Sequence, residues 1–88
     1  MASAPLNVSV VSADQQVWSG EATLVVARTT EGEIGILPGH EPMLAVLARG
    51  EVRLTLGDGA KIVAEAADGF LSVENDMVTI VARKAELV

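Results

Sequence analysis

Residue types that usually carry chemistry are scarce in this sequence. Its 88 residues include no cysteine, and its only aromatic residues are Trp18 and Phe70. The absence of cysteine excludes a disulfide framework, a thiolate nucleophile and a cysteine-based zinc site. Because aromatics are so few, Val, Leu, Ile and Ala must form the core, and this β-branched content favours strands.

Basic residues are also few, with six Lys and Arg against twelve Asp and Glu and a net charge of −6. Nucleic-acid binding needs a basic surface, so this balance argues against a nucleic-acid partner and against adsorption to anionic lipid. The N-terminus "MASAPLNVSV" lacks the basic and apolar regions of a secretory signal. No run approaches the roughly 20 apolar residues that span a bilayer, so we expect no direct membrane insertion.

The chain length fits one domain, covering residues 1–88. Apolar and polar residues alternate in "LNVSVV" and "EVRLTL", and turn signals recur about every 8 to 12 residues, as in a sandwich or barrel of short hairpins. "LTLGDGAKIV" predicts one hairpin, and "SVENDMVTI" predicts a second with Asn75 and Asp76 at its tip. The expected fold class is therefore all-β.

Two segments depart from this alternation of apolar and polar residues. "PMLAVLA", between Pro42 and Gly50, fits either a buried strand or one helical turn. "ARKAELV", at residues 82–88, loses the alternation and gains helix formers, which predicts the start of a helical region at about 84–88.

His40, the one histidine, lies in the Pro-Gly turn of "EGEIGILPGHEPMLAVL". General base catalysis needs an orienting partner and a nucleophile, and zinc needs further ligands, and neither set is evident near His40. Glu31, Glu33 and Glu41 fit solvated loop charges better than an acid–base pair. The glycines lack the residues of a phosphate-binding loop. We therefore predict no catalytic, metal or cofactor site and no small-molecule substrate.

An apolar run follows this turn, with Met43, Leu44 and Leu47 close together. A small acidic sandwich cannot bury both faces of every strand. Leftover apolar surface on a small domain usually marks an interface with a partner. The segment is therefore interpreted as a docking region.

"VVSADQQVWSGEA" followed by "EGEIGILPGHEPML" closely resembles the epsilon subunits of bacterial F-type ATP synthases. The resemblance extends from about Leu6 to Arg83 and includes "GFLSVENDMVTIVA". The segment "TLVVARTTEGEIGILPGH" is similar to actinobacterial members. The resemblance implies a flattened β-sandwich of about ten short strands.

It also implies a function: a non-catalytic subunit of the central stalk, or rotor, that binds the gamma subunit and the c-ring and couples ion-driven rotation to ATP synthesis. Such a protein is peripheral, on the cytoplasmic face of the bacterial cell membrane. Transferred to this sequence, the gamma-subunit interface comprises Ser12, Met43, Leu44 and Ala45. The c-ring interface comprises Glu31, Glu33, Pro38 and His40, with Glu33 and His40 foremost.

Members of this family usually continue into a two-helix hairpin that inhibits ATP hydrolysis or binds ATP. Here the sequence ends at Val88, where that hairpin would begin. We therefore expect a sandwich without the helical hairpin, and neither nucleotide binding nor hairpin-based inhibition by these 88 residues.

The main alternative is a lipoyl or biotin carrier domain, which is also a small acidic β-sandwich and is modified on a lysine at a hairpin tip. Lys61 follows the turn in "GDGAKIVAE". It lies two residues beyond Gly59, within a predicted strand, and the carrier hypothesis leaves the Pro-Gly-His segment unexplained.

Overall fold

The computed structural model describes residues 5–13 and 15–88. They form strands and turns, with no helix in this part of the chain. Seven strands occur in the order β1 (Leu6–Ser12), β2 (Gln15–Ala22), β3 (Leu24–Thr29), β4 (Gly32–Ile36), β5 (Met43–Thr55), β6 (Lys61–Glu74) and β7 (Met77–Leu87). The all-β prediction is confirmed.

The strands form one sheet in the order β2-β1-β7-β6-β5-β3-β4. Neighbours are antiparallel except β1 and β7, which are parallel and pair Asn7 with Met77 through Val11 with Val81. The first and last strands are therefore adjacent, inside the sheet rather than at its edges.

The three longest strands, β5 to β7, run through a bend. Pairing is interrupted around Asp68 of β6 and resumes on the far side with the same register. Asp68 has a φ of 60°, a left-handed conformation that Asp tolerates better than most residues. On one side of the bend β7 pairs with β1, and on the other side β5 pairs with β3, whose last residue Thr29 also reaches Leu47.

The bend divides the sheet into two layers. One layer, which we call the front layer, contains β1, β2 and residues 43–47, 69–74 and 77–82. The back layer contains β3, β4 and residues 50–55, 61–66 and 84–87. Each layer has five strand segments, because β5, β6 and β7 serve in both. The predicted sandwich of about ten strands is thus confirmed, although only seven strands are continuous.

One hydrophobic core lies between the layers. The largest fully buried side chains come from both, with Leu6, Leu71 and Ile80 in the front layer and Ile36 and Leu54 in the back layer. A flat sheet would place its edge strands β2 and β4 about 29 Å apart, yet buried residues of both belong to this core. Burial of aliphatic side chains between the layers therefore keeps the sheet folded over.

Both predicted hairpins are present. In the β5–β6 turn, the N–H of Leu56 donates to the carbonyl of Ala60 at 2.8 Å, and Gly59 has a φ of 88°. In the β6–β7 turn, Asn75 and Asp76 have φ values of 49° and 61°, the left-handed pair of a two-residue hairpin loop. "PMLAVLA" is resolved as a strand, the first part of β5.

The helix predicted to start at about 84–88 is wrong, because β7 continues to Leu87. Leu87 pairs with Ala64 of β6, and the N–H of Val88 donates to the carbonyl of Val63 at 2.9 Å. Pairing with β6 outweighs the helix propensity of Lys84, which is a weak preference.

Candidate functional site

The outer face of the front layer carries a row of apolar side chains across four adjacent strands. Val46 lies opposite Phe70, Phe70 opposite Val81, and Val81 beside Val11. Phe70 is 54% exposed and Val46 is 49% exposed. At about 4.8 Å between strands the row is roughly 14 Å long. We call Val11, Val46, Phe70 and Val81 the apolar row.

Leu44 extends this surface along β5. Its side chain is 73% exposed and lies two residues from Val46, on the same face of the strand. Across the neighbouring strands, Leu44 continues into Ser72, Thr79 and Ser9. An apolar centre with a hydroxyl-rich margin is the composition expected of a protein interface.

A tight turn between β3 and β4 presents two carboxylates. The hydroxyl of Thr29 donates to the carbonyl of Gly32 at 2.7 Å and accepts the N–H of Glu31 at 3.1 Å. Gly32 has a φ of 119°, which a residue with a side chain rarely adopts. The turn leaves the side chains of Glu31 and Glu33 exposed.

The loop of residues 37–42 carries His40 and is tied to the β6–β7 turn. The N–H of Gly39 donates to a carboxylate oxygen of Asp76 at 2.7 Å, and the backbone carbonyl of Asp76 accepts the N–H of Asn7 at 2.7 Å. Within the loop, the N–H of His40 donates to the carbonyl of Leu37 at 3.1 Å. Asp76 therefore holds the loop against the end of the front layer.

A cleft of about 390 Å³ brings two groups of predicted residues together. It lies between residues 29–34 of the β3–β4 turn and residues 43–46 of β5. Glu31 and Glu33 from the predicted c-ring set line it beside Met43, Leu44 and Ala45 from the predicted gamma set. We call it the edge cleft. Pro38 and His40 lie in the adjoining loop and do not line it.

The remaining members of the predicted gamma set are less exposed than Leu44. Ser12 is buried, and its hydroxyl donates to the carbonyl of Gln15 at 3.2 Å. Ser12 also lines a separate cavity of about 590 Å³ at the bend, with Arg49, Arg83 and Lys84. Met43 and Ala45 are half-buried and pack against the core. Their contact with a partner stays a prediction.

Sequence reasoning missed most of the apolar row. Val46, Phe70 and Val81 come from three strands, and only their register brings them together. A usable signal was present in "DGFLSVE", where Leu71 and Val73 alternate with Phe70 and Ser72. If Leu71 and Val73 face the core, the period of two places Phe70 on the outer face.

His40, the acidic side chains and Lys61 are the residues most relevant to chemistry in the described part of the chain. The Nδ1 atom of the His40 ring lies 2.7 Å from the backbone carbonyl oxygen of Glu41. No group of three or more His, Cys, Asp or Glu side chains in this part of the chain is placed to hold a metal ion. Lys61 is the first residue of β6, opposite Thr55. Among residues 5–13 and 15–88 no helix suited to crossing a membrane occurs.

Comparison with solved structures supports the fold. A chain of the Euglena gracilis mitochondrial ATP synthase, in its OSCP/F1/c-ring complex, has a TM-score of 0.90 and 26% identity. The match covers 99% of this chain and 56% of that one, so the present chain spans little more than half of its length. A chain from the central stalk and c-ring of the Tetrahymena thermophila enzyme has the same fold, with a TM-score of 0.74 and 13% identity.

Curated sequences give the same result. The ATP synthase epsilon chain of Streptomyces coelicolor is 51% identical over 84 residues, which cover 96% of this chain and 68% of that one. The epsilon chain of Micrococcus luteus is 55% identical over 84 residues, covering 96% and 92% respectively. The family described as the β-sandwich domain of the ATP synthase delta/epsilon chain matches residues 5–88. With its two-layer sheet and this match over nearly the whole sequence, the chain belongs to the ATP synthase delta/epsilon family.

Proposed function

We propose that this chain is a non-catalytic subunit of the central stalk of an F-type ATP synthase. It binds the gamma subunit and the c-ring and so couples ion-driven rotation of the ring to ATP synthesis. It is peripheral, on the cytoplasmic face of a bacterial cell membrane. The observation that carries this proposal is the apolar row, an exposed apolar surface on a member of this family.

The gamma subunit docks on the outer face of the front layer. Phe70 is central there, with Val46 and Val81 opposite it on the neighbouring strands. Large aromatic side chains near the centre of an interface usually carry much of the binding free energy. Leu44 extends the same face, whereas Met43 and Ala45 contribute along its margin through the edge cleft.

The c-ring contacts what we call the polar surface, which comprises Glu31, Glu33, Pro38 and His40. Glu31 and Glu33 project from a turn fixed by Thr29, and His40 lies in the loop held by Asp76. Polar and charged groups on ordered loops suit a contact whose role is register and orientation more than tight burial. Pro38 limits the backbone freedom of that loop.

A rotor subunit must transmit force without deforming. Three of the seven strands pass through both layers, so the two layers share backbone as well as a core. The loop that carries His40 is joined to the β6–β7 turn by the 2.7 Å hydrogen bond to Asp76. Both features oppose relative movement of the two proposed docking surfaces.

The carrier-domain alternative has no support from the comparisons, because the family match covers residues 5–88 and includes the Pro-Gly-His segment. Its test is an intact-mass spectrum after co-expression with a lipoyl or biotin ligase. The stalk assignment predicts an unmodified mass, and an adduct on Lys61 would contradict it.

Co-purification with a gamma subunit from a related actinobacterium tests the proposal. The wild-type chain is expected to elute with gamma, and Phe70→Glu and Leu44→Glu are expected to elute alone. Burial of an unpaired carboxylate costs several kcal/mol, enough to abolish co-elution at micromolar concentration. The matched control is Leu87→Glu, the same change at an exposed strand residue of the back layer.

The results distinguish an error in the location of the docking face from an error in the stalk function. If Leu87→Glu and Phe70→Glu both retain gamma, the docking face is misplaced although the family assignment stands. If the wild-type chain does not bind gamma, the stalk function itself is contradicted. Circular dichroism of each variant establishes that it is folded before its elution is interpreted.

A further inference from the structure

We propose that the edge cleft binds an extended, basic segment of a partner protein as an added β-strand. Residues 43–46 of β5 form the edge of the front layer. They pair with residues 70–73 of β6, whereas β3 pairs with β5 only from Leu47 onward. Within the part of the chain that the structure describes, this edge has no second strand beside it.

The backbone groups at this edge point into the cleft. The N–H of Thr30 donates to the carbonyl of Val46 at 3.0 Å, so that carbonyl faces away from β6. In a strand, the N–H and C=O of one residue point to the same side, and alternate residues share that side. The N–H of Val46 and both backbone polar groups of Leu44 therefore face the cleft.

The edge is only partly protected. Natural edge strands are commonly blocked by Pro, by Lys, by a bulge or by a covering loop. Here Pro42 lies just before the edge, the β3–β4 turn reaches only Val46, and residues 43–46 are all apolar. Four residues correspond to about 13 Å of extended chain, enough for a short added strand.

Charge identifies the kind of segment. Glu31 and Glu33 line the cleft, and none of its lining residues is basic. Arg28 lies opposite Glu33 in the β3–β4 register, but its side chain packs against Gly50. The Cδ atom of Arg28 lies 3.2 Å from the point that a Cβ atom would occupy if residue 50 had a side chain. The only ion pair among the described residues joins Arg53 to Glu51. The two cleft carboxylates are therefore available to Lys or Arg of the incoming segment.

The occupant is thus an extended peptide segment whose backbone pairs with both polar groups of Leu44 and with the N–H of Val46, since the carbonyl of Val46 already accepts the N–H of Thr30. Its basic side chains lie near Glu31 and Glu33. This mode of recognition uses main-chain hydrogen bonds for affinity and side chains for selection. It differs from docking on the apolar row, which involves side chains on the outer face. A peptide can therefore test the cleft without any other ATP synthase subunit.

The first experiment is an NMR titration of the ¹⁵N-labelled chain with the peptide acetyl-KVTVKVT-amide. Its acidic counterpart, acetyl-EVTVEVT-amide, is the matched control. We expect the basic peptide to shift the amide signals of Leu44 and Val46 and to slow their hydrogen exchange at least about tenfold. The acidic peptide should leave both unchanged. The double variant Glu31→Gln, Glu33→Gln should weaken binding about two- to fivefold, and Glu21→Gln, Glu74→Gln should not.

A second pair of variants tests the contribution of backbone hydrogen bonds to peptide binding. Val46→Pro removes one N–H that faces the cleft and leaves the backbone partners of β6 in place, whereas Val46→Thr keeps the N–H and the branched shape. We expect Val46→Pro to lose at least about tenfold in affinity relative to Val46→Thr. Should Val46→Pro fail to fold, amide exchange of Leu44 in the wild-type chain decides the question.

Several results would overturn the proposal. The first is that the basic and acidic peptides bind equally well. The second is that the largest shifts occur at Phe70 and Val81 instead of Leu44 and Val46, and the third is that no binding occurs at millimolar peptide. Sedimentation velocity tests whether the occupant is a second copy of this chain. If the amides of Leu44 and Val46 are protected only when the chain dimerises, the cleft pairs with that second copy and the basic-segment proposal is wrong.

Discussion

The apolar row and the polar surface differ in how the fold positions their residues. The row consists of side chains on paired strands, and Val46, Phe70 and Val81 are placed by register alone. The polar surface combines Glu31 of the β3–β4 turn, Glu33 of β4 and two residues of the 37–42 loop, and the hydrogen bonds of Thr29 and Asp76 fix the turn and the loop. One surface depends on the sheet as a whole, and the other on local bonds.

This difference has a consequence for mutation. A change that disturbs the sheet must affect the row and the stability together. A change in the loop alters the position of His40 while the core of the sandwich remains intact. The two surfaces should therefore separate when binding and stability are measured on the same set of variants.

Gly69→Ala should have the largest effect on the row. A Cβ at Gly69 would overlap the backbone carbonyl oxygen of Val81 and lie 2.5 Å from the Cα of Ala82. Because backbone cannot move aside as a side chain can, we expect a loss of about 3 kcal/mol or more in the free energy of unfolding, measured by urea denaturation. Gly57→Ala is the control, since nothing lies within 4 Å of a Cβ there. Equal midpoints for the two variants would show that β6 and β7 are not this close at the bend.

Asp76→Ala should have an intermediate effect, mainly on the loop. The change removes the carboxylate that accepts the N–H of Gly39 and places Ala at a φ of 61°. We expect a loss of about 1–2 kcal/mol in stability and faster hydrogen exchange of the Gly39 amide. Asp76→Asn keeps an acceptor and tolerates that φ, so it should recover most of the loss. Unchanged exchange at Gly39 in Asp76→Ala would contradict the role given to this hydrogen bond.

His40→Ala should have the smallest effect on stability, within about 0.5 kcal/mol, because the one hydrogen-bond partner of the ring among described residues is the carbonyl of the neighbouring Glu41. If His40 contacts the c-ring, affinity of the stalk for isolated c-ring should still fall about two- to tenfold, the value of one hydrogen bond. Binding can be measured by pull-down of the gamma-containing complex on immobilised ring. An unchanged affinity would remove His40 from the c-ring interface and leave Glu33 as its main candidate.

Local sequence patterns predicted the parts of the fold that local chemistry determines. The Asp-Gly and Asn-Asp turns were identified because their residues tolerate the left-handed conformations that two-residue loops need. The end of β7 was mistaken for a helix start because its strand conformation depends on pairing with β6, which is distant in sequence from residues 84–87.

The predicted site shows the same division. Glu31, Glu33 and His40 belong to one continuous motif and were predicted from it, but β4 separates the turn that carries Glu31 from the loop that carries His40. Phe70 and Val46 are opposite each other only through the β5–β6 register, which a single sequence does not reveal. The burial of Ser12 was missed for a different reason. It continues the alternation of Leu6, Val8 and Val10, so its burial could have been expected.

The parallel pairing of β1 with β7 also determines when this domain can fold during synthesis. The β1–β2 hairpin is made first, but its neighbour in the sheet begins at Met77. Until that last strand leaves the ribosome, β1 lacks its second neighbour in the sheet. Contacts between such distant segments slow folding and prolong exposure of strand edges. The β1–β2 hairpin is thus the segment of this chain that waits longest for its neighbour in the sheet.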